Sequence, residues 1–374
     1  MVVGTVAQAA TVRAHDVDVR PAIVLAKLNG QAGASVSFSD DGEKILTSGM
    51  KSARIWDGIT FKPITAPLPH GSGMVYAAFD LQGDRVITTG DDNVAKLWSV
   101  RTRQPTFTFT HQGRVHFATF SPSGKTVITC GQDGRARLWD STSGRLLLDL
   151  HHPAPVRFAT FPPKGDKIIT STGTTRIWDA GTGRELIKRP DTGPNDNGDM
   201  RWIRPVAVSP DGTHVASIFT WLGVNWDPTT GNALFAIDTR AIGAWPIVVG
   251  YTSQGKLVTA SVGLQVWERG NEDKIQTSIA PGSGICDFAF TPDGKRVLIA
   301  ATDDSSGIWD IASSRQVQEI RGMRVDNPAI FPAQREVPAI AMSKDGRRIA
   351  VGFASTDTTT IYELPAPLPS AAEK

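Results

Sequence analysis

Cysteine is scarce in this chain, and its charges nearly cancel. There are 2 cysteines among 374 residues, Cys130 and Cys286, and the formal net charge is +2. Two cysteines exclude a disulfide-rich scaffold and favour a reducing compartment. Balanced charge is a poor match to a dedicated nucleic-acid binder, which carries a basic patch or stripe. We therefore expect a cytoplasmic protein that does not bind nucleic acid.

Long apolar runs are also missing. No stretch approaches the roughly 18 apolar residues that a membrane-spanning helix needs. The first residues, MVVGTVAQAATVRAHD, lack the basic and apolar regions of a secretory signal peptide. Phosphate-binding loops of the G-x-x-x-x-G-K-[ST] kind and nucleophile elbows are not found in the sequence either. These absences predict no membrane partner and argue against the commonest catalytic motifs.

What the chain does contain is a short motif that recurs eight times. A β-rich run ends in Trp-Asp or a close variant, and its aromatic residues are 42, 41, 39, 48, 41, 42 and 53 residues apart. The copies are RIWD (54–57), KLWS (96–99), RLWD (137–140), RIWD (176–179), VNWD (224–227), QVWE (265–268), GIWD (307–310) and the weaker TIYE (360–363). A period near forty residues indicates a repeat architecture.

A second signature precedes each of these endings by 16 to 20 residues. It is a turn of the Phe-Ser-Pro-Asp-Gly kind between two alternating strands, and it occurs at 38–42, 79–83, 120–124, 161–165, 208–212, 251–255, 290–294 and 342–346. Proline sets φ, aspartate caps the turn and glycine supplies a positive φ, so the pattern predicts a hairpin. Each unit is predicted to contain strands a, b, c and d, with c ending at the tryptophan.

These two signatures, recurring in phase over residues 21–364, resemble the WD40-repeat family in the style of its bacterial members. The resemblance implies an all-β fold: one closed propeller whose blades each have four antiparallel strands. Residues 1–20 are then an N-terminal tail, and the Pro-rich residues 365–374 are a C-terminal tail. Family members commonly act as platforms for other proteins, so the resemblance also implies a non-catalytic protein-interaction scaffold.

The number of blades depends on the two ends of the repeat region. Eight a–b–c sets are present, but the last has no strand d, whereas residues 22–28 form a strand that belongs to no preceding set. We predict that residues 22–28 pair with residues 360–364, in the "velcro" closure of the family, to complete an eight-bladed ring. A seven-bladed ring is the alternative and would leave one well-formed copy unused.

The resemblance also implies a buried hydrogen-bonded set of His, Ser/Thr, Asp and Trp in each complete blade. Two blades match in full: His70, Thr88, Asp92 and Trp98, and then His111, Thr129, Asp133 and Trp139. Blade 4 keeps His152 and Trp178 but has Thr172 at the aspartate position. Although Thr, His and Asp could suggest nucleophilic catalysis, recurrence at the repeat period favours a structural role. We expect no catalytic residue, metal site or cofactor.

Partner binding is predicted on the face that carries the d–a and b–c loops. Two d–a loops, around 189–202 and 321–338, are longer than the rest. Three tryptophans do not fit the repeat and map to this face in blades 5 and 6, and tryptophan and arginine dominate interface energies. The candidate partner-binding residues are Trp202, Trp221, Trp245, Arg201, Arg204, Arg240 and Arg114. Packing of the same tryptophans onto the ring is the alternative.

A second function remains open at this point. Arg114, His116 and Arg157 lie near the starts of strands a, which line the centre of a propeller. They form a cationic set, which suits an anionic ligand better than hydrolysis. The alternative to a scaffold is therefore a ligand-binding or enzymatic propeller that uses a cationic central channel. In both cases the ring is expected to be monomeric.

Overall fold

The computed structural model describes thirteen stretches of the chain, which together form eight four-stranded antiparallel sheets. The stretches are residues 22–29, 35–49, 51–71, 73–190, 206–219, 222–238, 248–261, 263–267, 275–281, 284–301, 306–320, 339–353 and 358–364. Within them the regular structure is β, and no helix is long and apolar enough to cross a membrane. Each sheet is one blade of a propeller, so the prediction of eight blades is confirmed.

The first four blades follow chain order from strand a at the centre to strand d at the rim. Blade 1 contains β2 (Ser35–Phe38), β3 (Lys44–Ser48), β4 (Ser52–Asp57) and β5 (Leu68–Pro69). Blade 2 contains β6 (Met74–Phe79), β7 (Arg85–Gly90), β8 (Val94–Ser99) and β9 (Pro105–Thr110). Blade 3 contains β10 (Val115–Phe120), β11 (Thr126–Gly131), β12 (Arg135–Asp140) and β13 (Leu146–His151). Blade 4 contains β14 (Phe158–Thr160), β15 (Lys167–Ser171), β16 (Thr174–Asp179) and β17 (Glu185–Pro190).

The second four blades continue the same order, except that the last takes a strand from the start of the chain. Blade 5 contains β18 (Val206–Val208), β19 (Val215–Phe219), β20 (Leu222–Trp226) and β21 (Ala233–Asp238). Blade 6 contains β22 (Val248–Tyr251), β23 (Leu257–Ala260), β24 (Leu264–Trp267) and β25 (Ile275–Ile279). Blade 7 contains β26 (Ile285–Phe290), β27 (Arg296–Ala301), β28 (Gly307–Asp310) and β29 (Arg315–Glu319). Blade 8 contains β30 (Ala339–Met342), β31 (Arg348–Phe353), β32 (Thr358–Glu363) and β1 (Ile23–Asn29).

The a–b hairpin turn has the same backbone conformation in every blade. Its glycine has a φ between 66° and 77° in all eight copies, a region that side chains other than glycine rarely enter. In blade 1, Asp41 Oδ1 accepts hydrogen bonds from the Ser39 hydroxyl at 2.5 Å and the Glu43 N–H at 2.9 Å. The turn therefore ends strand a and starts strand b at a fixed point, which sets the register of each blade.

The apolar core lies between neighbouring blades. Ile87, Leu97 and Phe109 of blade 2 pack with Val115 and Val127 of blade 3, and all five are at most 1% exposed. Burying one such side chain contributes about 1.5–3 kcal/mol. Since each sheet buries its faces against its neighbours, the blades stabilise one another as a single folding unit.

The last blade joins the two ends of the described chain. β1 pairs antiparallel with β32, from Ile23 opposite Glu363 to Asn29 opposite Thr358. These are the segments that the sequence analysis paired, with β1 beginning and ending one residue later than expected. On the inner side, β30 of blade 8 contacts β2 of blade 1. Blade 8 thus packs against blade 1 and is built from both ends of the repeat region.

Arginines at the start of strand b link adjacent blades on the face opposite the d–a loops. Arg85 of blade 2 donates hydrogen bonds to the Gly124 carbonyl at 2.8 Å and to the Ser141 hydroxyl at 2.9 Å, both in blade 3. Arg348 of blade 8 donates in the same way to the carbonyls of Gly42, at 3.1 Å, and Gly58 in blade 1. The junction between blades 8 and 1 therefore has the same cross-blade arginine as an internal junction.

Candidate functional site

Most of the predicted partner-binding residues lie outside the residues that the structure describes. These are Trp202, Trp221, Trp245, Arg201, Arg204 and Arg240. Arg114 is described, and it lies in the d–a loop that leads from blade 2 into blade 3. Arg114 and its surroundings are therefore the described part of the predicted site, and the assignment of the six other residues stays a prediction.

The d–a loops and b–c turns lie on the same face of the ring. In blade 2, the N–H of Gly71, in the d–a loop, donates to Asp92 Oδ2 in the b–c turn at 2.8 Å. In blade 3, the N–H of Gln112 donates to Asp133 Oδ2 at 3.1 Å. Both loops are anchored to strands whose side chains are buried, so this face is a framework on which functional side chains can be held rigidly.

The four-residue set predicted for blade 2 forms a continuous hydrogen-bonded chain. The Trp98 indole N–H donates to Thr88 Oγ1 at 2.8 Å, Thr88 Oγ1 lies 2.7 Å from His70 Nε2, and His70 Nδ1 lies 2.9 Å from Asp92 Oδ1. A carboxylate only accepts, so His70 Nδ1 donates to it and Nε2 accepts the threonine hydroxyl proton. The chain joins strands b and c to both loops of this face.

Blade 3 repeats this arrangement with nearly the same distances. Trp139 donates to Thr129 Oγ1 at 2.9 Å, Thr129 lies 2.8 Å from His111 Nε2, and His111 Nδ1 lies 3.0 Å from Asp133 Oδ1. In addition, Arg137 Nη1 lies 2.9 Å from Asp133 Oδ2. The carboxylate is thus held from three sides.

Electrostatics keep the blade 3 pair as a neutral imidazole beside an ionised carboxylate. Burial lowers the pKa of His111, and the hydrogen bond to Asp133 only partly opposes this. Burial alone would raise the pKa of Asp133, but hydrogen bonds from His111, the Gln112 N–H and Arg137 lower it to about 2. At neutral pH the charge of Asp133 is therefore balanced by Arg137.

The Thr–His–Asp geometry of these sets resembles a catalytic triad, but the threonine is unavailable to a substrate. The Thr88 and Thr129 side chains are 0% exposed. Each hydroxyl also accepts an indole N–H, which occupies a lone pair that a nucleophile would need. The sets are suited to tying strands together, because a buried and fully satisfied polar network specifies one packing arrangement.

Part of this network extends further than the sequence analysis expected. The indole N–H of the strand-c tryptophan also donates to a strand-b hydroxyl in blades without the His–Asp pair. The pairs are Trp56 with Thr47 at 2.9 Å, Trp226 with Ser217 at 3.3 Å and Trp267 with Thr259 at 3.0 Å. In blade 7, Ile299 occupies the hydroxyl position, and the buried Trp309 Nε1 has no hydrogen-bond partner. Aligning the strand-b residues of the repeats would have shown the Ser or Thr at this position in blades 1 to 6 and the isoleucine in blade 7.

Polar side chains also gather at the inner edge of blades 2 and 3. Arg114 Nε lies 2.5 Å from Asp91 Oδ1, across the boundary between the two blades. His116 Nε2 lies 3.0 Å from Gln132 Oε1. Gly131 makes this arrangement possible, because a Cβ there would lie 2.5 Å from the Arg114 carbonyl oxygen. The d–a loop can therefore approach the b–c turn closely enough to hold Arg114 over the edge.

A β-bulge places His116 on this inner edge. The register between β10 and β11 shifts between Val115 and Phe117, so His116 is an extra residue on strand a. A bulge bends the strand and re-aims the side chain of the extra residue. Arg157 holds the corresponding position in blade 4, where the sequence has Arg in place of His. Together these residues form what we call the inner-rim cluster: Asp91, Arg114, His116, Gln132 and Arg157.

Charged side chains of the inner-rim cluster act on the pKa of His116. Burial lowers the pKa of His116, and the charges of Arg114 and Arg157 lower it further, while the Gln132 hydrogen bond and Asp91 act in the opposite direction. His116 is therefore neutral at neutral pH. The cluster thus combines two guanidinium groups and one carboxylate with a neutral imidazole.

A row of aromatic rings runs along strands a, and two of its members are next in sequence to residues of the inner-rim cluster. Tyr76, Phe117 and Phe158 hold the same position on strands a of blades 2, 3 and 4. Their centroids are 4.4 Å apart between Tyr76 and Phe117 and 4.6 Å apart between Phe117 and Phe158. The rings are half-buried. This row was not predicted from the sequence, because each ring by itself is an ordinary strand aromatic.

Metal-ligating groups and thiols are the other side chains with reactive potential in the described part of the chain. There, no group of three or more His, Cys, Asp or Glu side chains is arranged to hold a metal ion. Cys130 is a free cysteine with 0% exposure, and burial raises the pKa of its thiol. A buried neutral thiol is unreactive, so Cys130 acts as a small apolar side chain between blades 3 and 4.

Comparison with known proteins places one repeat of this chain in a described family. The family model called WD domain, G-beta repeat matches residues 103–140. These residues contain β9, the outer strand of blade 2, followed by β10, β11 and β12 of blade 3. A search of curated proteins finds no match to the chain.

Proposed function

We propose that this chain, an eight-bladed β-propeller in which residues 103–140 match the WD-repeat family model, is a non-catalytic scaffold that binds another protein. The binding face is the one that carries the d–a loops and b–c turns. The fold by itself does not identify a function, so the proposal is supported by the side chains on this face.

The observation that supports the proposal most directly is the ion pair between Arg114 and Asp91. It joins a d–a loop to the b–c turn of the neighbouring blade, yet the two side chains are 46% and 41% exposed. Arginine held in a fixed orientation and open to solvent is well suited to interface contacts, because little conformational entropy is lost on binding. The predicted Trp202, Trp221 and Trp245 would extend the surface to blades 5 and 6.

A catalytic role is less well supported by the described residues. The Thr–His–Asp sets have buried hydroxyls, and the inner-rim cluster combines arginines with a neutral histidine. Such a cluster binds and orients anions, whereas hydrolysis would need an accessible nucleophile or an activated water. Ligand binding at a cationic centre is the second candidate function, and the observation that favours it is the proximity of two arginines, Arg114 and Arg157, to His116.

The kind of partner, the oligomeric state and the compartment are proposed from the sequence. The net charge of +2 gives little drive toward nucleic acid, so the proposed partner is a protein or peptide. We also propose a monomeric ring in the cytoplasm. Size-exclusion chromatography with light scattering would test the first, and cell fractionation the second. A stable dimer, or recovery in a membrane or secreted fraction, would contradict them.

The scaffold proposal is tested with a partner captured by the intact chain and then purified. Its affinity is measured for the wild-type chain, for a variant shortened within 321–338, for Arg114→Glu and for Arg145→Glu. Arg145 lies in a c–d turn on the opposite face and is exposed, so it is a matched charge reversal. We expect the first two variants to weaken binding by about tenfold or more and the third to leave it unchanged. Loss of binding in Arg145→Glu alone would overturn the proposed face.

A further inference from the structure

Blade 1 has an arginine without an acidic partner near the face that carries the d–a loops and b–c turns, which we call the loop face. Arg54 is the third residue of β4, which begins directly after the b–c turn. Its Cζ lies over the Trp56 ring, 5.3 Å from the ring centroid. Arg54 Nε is buried without a hydrogen-bond partner, and among the described residues Arg54 forms no ion pair. This cation has therefore lost part of its hydration without gaining a counter-charge.

The corresponding cations of the next three blades do have acidic partners. Each lies two residues before the strand-c tryptophan, as Arg54 does. The pairs are Arg137 with Asp133 at 2.9 Å in blade 3, Arg176 with Glu185 at 3.1 Å in blade 4, and Lys96 in the field of Asp92 in blade 2. Blade 1 is therefore the exception among the four blades that have a cation at this position.

Blade 1 differs because its b–c turn is short and contains no aspartate. Four residues, 49–52, connect the last paired positions of β3 and β4, whereas five residues, 131–135, connect those of β11 and β12 in blade 3. The longer turn contains Asp133, but the shorter one contains Lys51, which is exposed. The turn of blade 1 thus adds a second positive charge where blade 3 has a negative one.

The strands around Arg54 supply no carboxylate at the loop face. Trp56, on the same side of β4 as Arg54, packs with Ile361 of β32, so Arg54 faces the junction between blades 8 and 1. In β1, β3, β4, β5, β31 and β32 the acidic residues are Asp57 and Glu363. Both are the last residues of their strands, at the ends away from the b–c turns. These strands therefore leave the charge of Arg54 without an offset.

We propose that Arg54 binds the carboxylate of an Asp or Glu side chain in a partner protein that lies on the loop face, with Lys51 adding attraction from the b–c turn. The inference rests on the proposed scaffold function, and it names one blade and one chemical group in the interface. A guanidinium is a planar fork that can hold a carboxylate with two parallel hydrogen bonds. The Trp56 ring restricts the orientation of the guanidinium, so less conformational entropy is lost on binding.

The charges of this site favour a carboxylate over a phosphate group. Arg54 is one partly buried cation, and a carboxylate neutralises it with one negative charge. A phosphate monoester has about −1.5 to −2 charges at neutral pH, and Lys51 would have to balance the remainder. Because Lys51 is exposed, water and salt weaken its interaction with an anion. Lys51 should therefore matter little for a carboxylate and more for a phosphate.

Lys51 also offers a way to occupy Arg54 from within the chain. Lys51→Asp would place a carboxylate in the b–c turn three residues before Arg54, as Asp133 lies four residues before Arg137 and pairs with it. This internal carboxylate would compete with the partner for the guanidinium. Binding should then fall although Arg54 itself is retained. If Arg54 serves only to cover Trp56, binding should not depend on Arg54 or on this competitor.

The experiment selects binders from a random decapeptide library with the full chain as bait, and counter-selection removes peptides that also bind Arg54→Gln. The remaining peptides are titrated by fluorescence polarisation against the wild-type chain, Lys51→Ala, Lys51→Asp and Arg145→Gln. Arg145 lies in an exposed c–d turn on the opposite face, so its replacement is a matched loss of one arginine. Each peptide is also made with Gln or Asn at its acidic position and with phosphoserine there.

Melting temperatures verify that the variants are folded. If Arg54→Gln does not fold, Lys51→Asp takes its place in the counter-selection. We expect the remaining peptides to be acidic, and we expect their Gln or Asn versions to bind about tenfold or more weakly. Lys51→Asp should weaken binding by about tenfold, and Lys51→Ala by less than about threefold. Arg145→Gln should have no effect.

Two results would overturn the inference. One is a selection in which no peptide remains after counter-selection, or in which the remaining peptides keep their affinity without the acidic side chain. The other is a phosphoserine peptide that binds more than about tenfold tighter than its acidic counterpart, because the site would then read phosphate. If the purified partner is still bound more weakly by the variant shortened within 321–338, the scaffold function stands and only this inference fails.

Discussion

Blades 3 and 4 differ at one position of the same buried network, and the difference separates two roles of that network. In both blades the strand-b threonine lies 2.8 Å from a histidine and accepts the tryptophan indole N–H at 2.9 Å. Blade 3 adds Asp133, but blade 4 has Thr172 there. The identical distances show that the aspartate is not needed to seat histidine, threonine and tryptophan.

What the aspartate changes is the environment of the histidine and the attachment of the loops. In blade 4, His152 Nδ1 lies 3.1 Å from the Leu150 carbonyl oxygen. Burial and the nearby charge of Arg176 lower the pKa of His152 to about 4. Arg176, which has no carboxylate in the b–c turn, pairs with Glu185 on strand d at 3.1 Å. Blade 4 therefore holds its strands as blade 3 does but lacks the ionic link to its loops.

The largest loss of stability is expected from replacing the strand-b threonine, which blades 3 and 4 share. Replacing Thr129 by Val would leave the Trp139 indole N–H and His111 Nε2 without a partner in a buried site. We expect a loss of about 2–4 kcal/mol in the free energy of unfolding, measured by urea denaturation. Thr170→Val in blade 4 removes the same two contacts and should cost about the same. A much smaller loss in blade 4 would show that the threonine is not equivalent in the two blades.

The next largest loss of stability is expected at the position where the two blades differ, which is Asp133 in blade 3 and Thr172 in blade 4. Asp133→Ala removes the acceptor of His111, of the Gln112 N–H and of Arg137, so we expect a loss of about 1–3 kcal/mol in urea denaturation. Thr172→Ala is the matched change in blade 4. Its hydroxyl makes only long contacts of 3.4 Å, so the expected loss is below about 0.5 kcal/mol. Equal losses would remove the distinction drawn between the blades.

The third effect is a pH dependence of the free energy of unfolding, which originates from His152 in blade 4. The folded-state pKa of His152, about 4, lies below the ordinary value of about 6.5, so the unfolded chain binds the proton more readily. This contribution to stability is complete above about pH 6.5 and is lost as the pH falls toward 4. Allowing for screening of its exposed part, we expect a loss of about 1–2 kcal/mol. Denaturation curves of the chain and of His152→Gln between these pH values should differ in slope, and parallel slopes would refute the assignment.

The smallest change in stability is expected from introducing into blade 4 the carboxylate that it lacks. Thr172→Asp would place a carboxylate near His152 and Arg176, as Asp133 lies near His111 and Arg137. We expect a gain of about 0.5–1.5 kcal/mol in urea denaturation and a rise in the pKa of His152 toward its ordinary value. Titration of the His152 ring protons by NMR measures the second quantity. A pKa that stays near 4 would show that the backbone of blade 4 keeps the carboxylate away.

The fold could be predicted closely because every blade carries local signals. The tryptophan marks the end of strand c, and the turn glycine, such as Gly124 at a φ of 68°, marks the a–b hairpin. Both depend on residues near in sequence, so one copy supports the next. The predicted His–Thr–Asp–Trp sets of blades 2 and 3 are found as hydrogen-bonded chains for the same reason, since all four positions recur in phase.

The candidate site was harder to predict from the sequence than the fold. The bulge at His116 depends on a register shift between two strands, and the Arg114–Asp91 pair joins different blades. Neither has a local signature. Arg114, His116 and Arg157 were grouped by their position before or on strand a, but Asp91, Gln132 and the aromatic row were not recognised. The Asp91 contact and the aromatic row join different blades, and the His116–Gln132 contact depends on the bulge in strand a of blade 3, so the repeat period alone encodes none of them.

The pairing of β1 with β32 has a consequence for how the protein is made. About 330 residues separate the two strands, so at about 5–20 residues per second the ribosome completes β32 roughly 15–70 s after β1. Until then the nascent chain can form only an open arc, and the backbone edge of β1 has no native partner. Ile23 and Val24 on that strand are exposed even in the finished ring. The period before closure is therefore the time when the chain is most open to misassembly with its neighbours on a polysome.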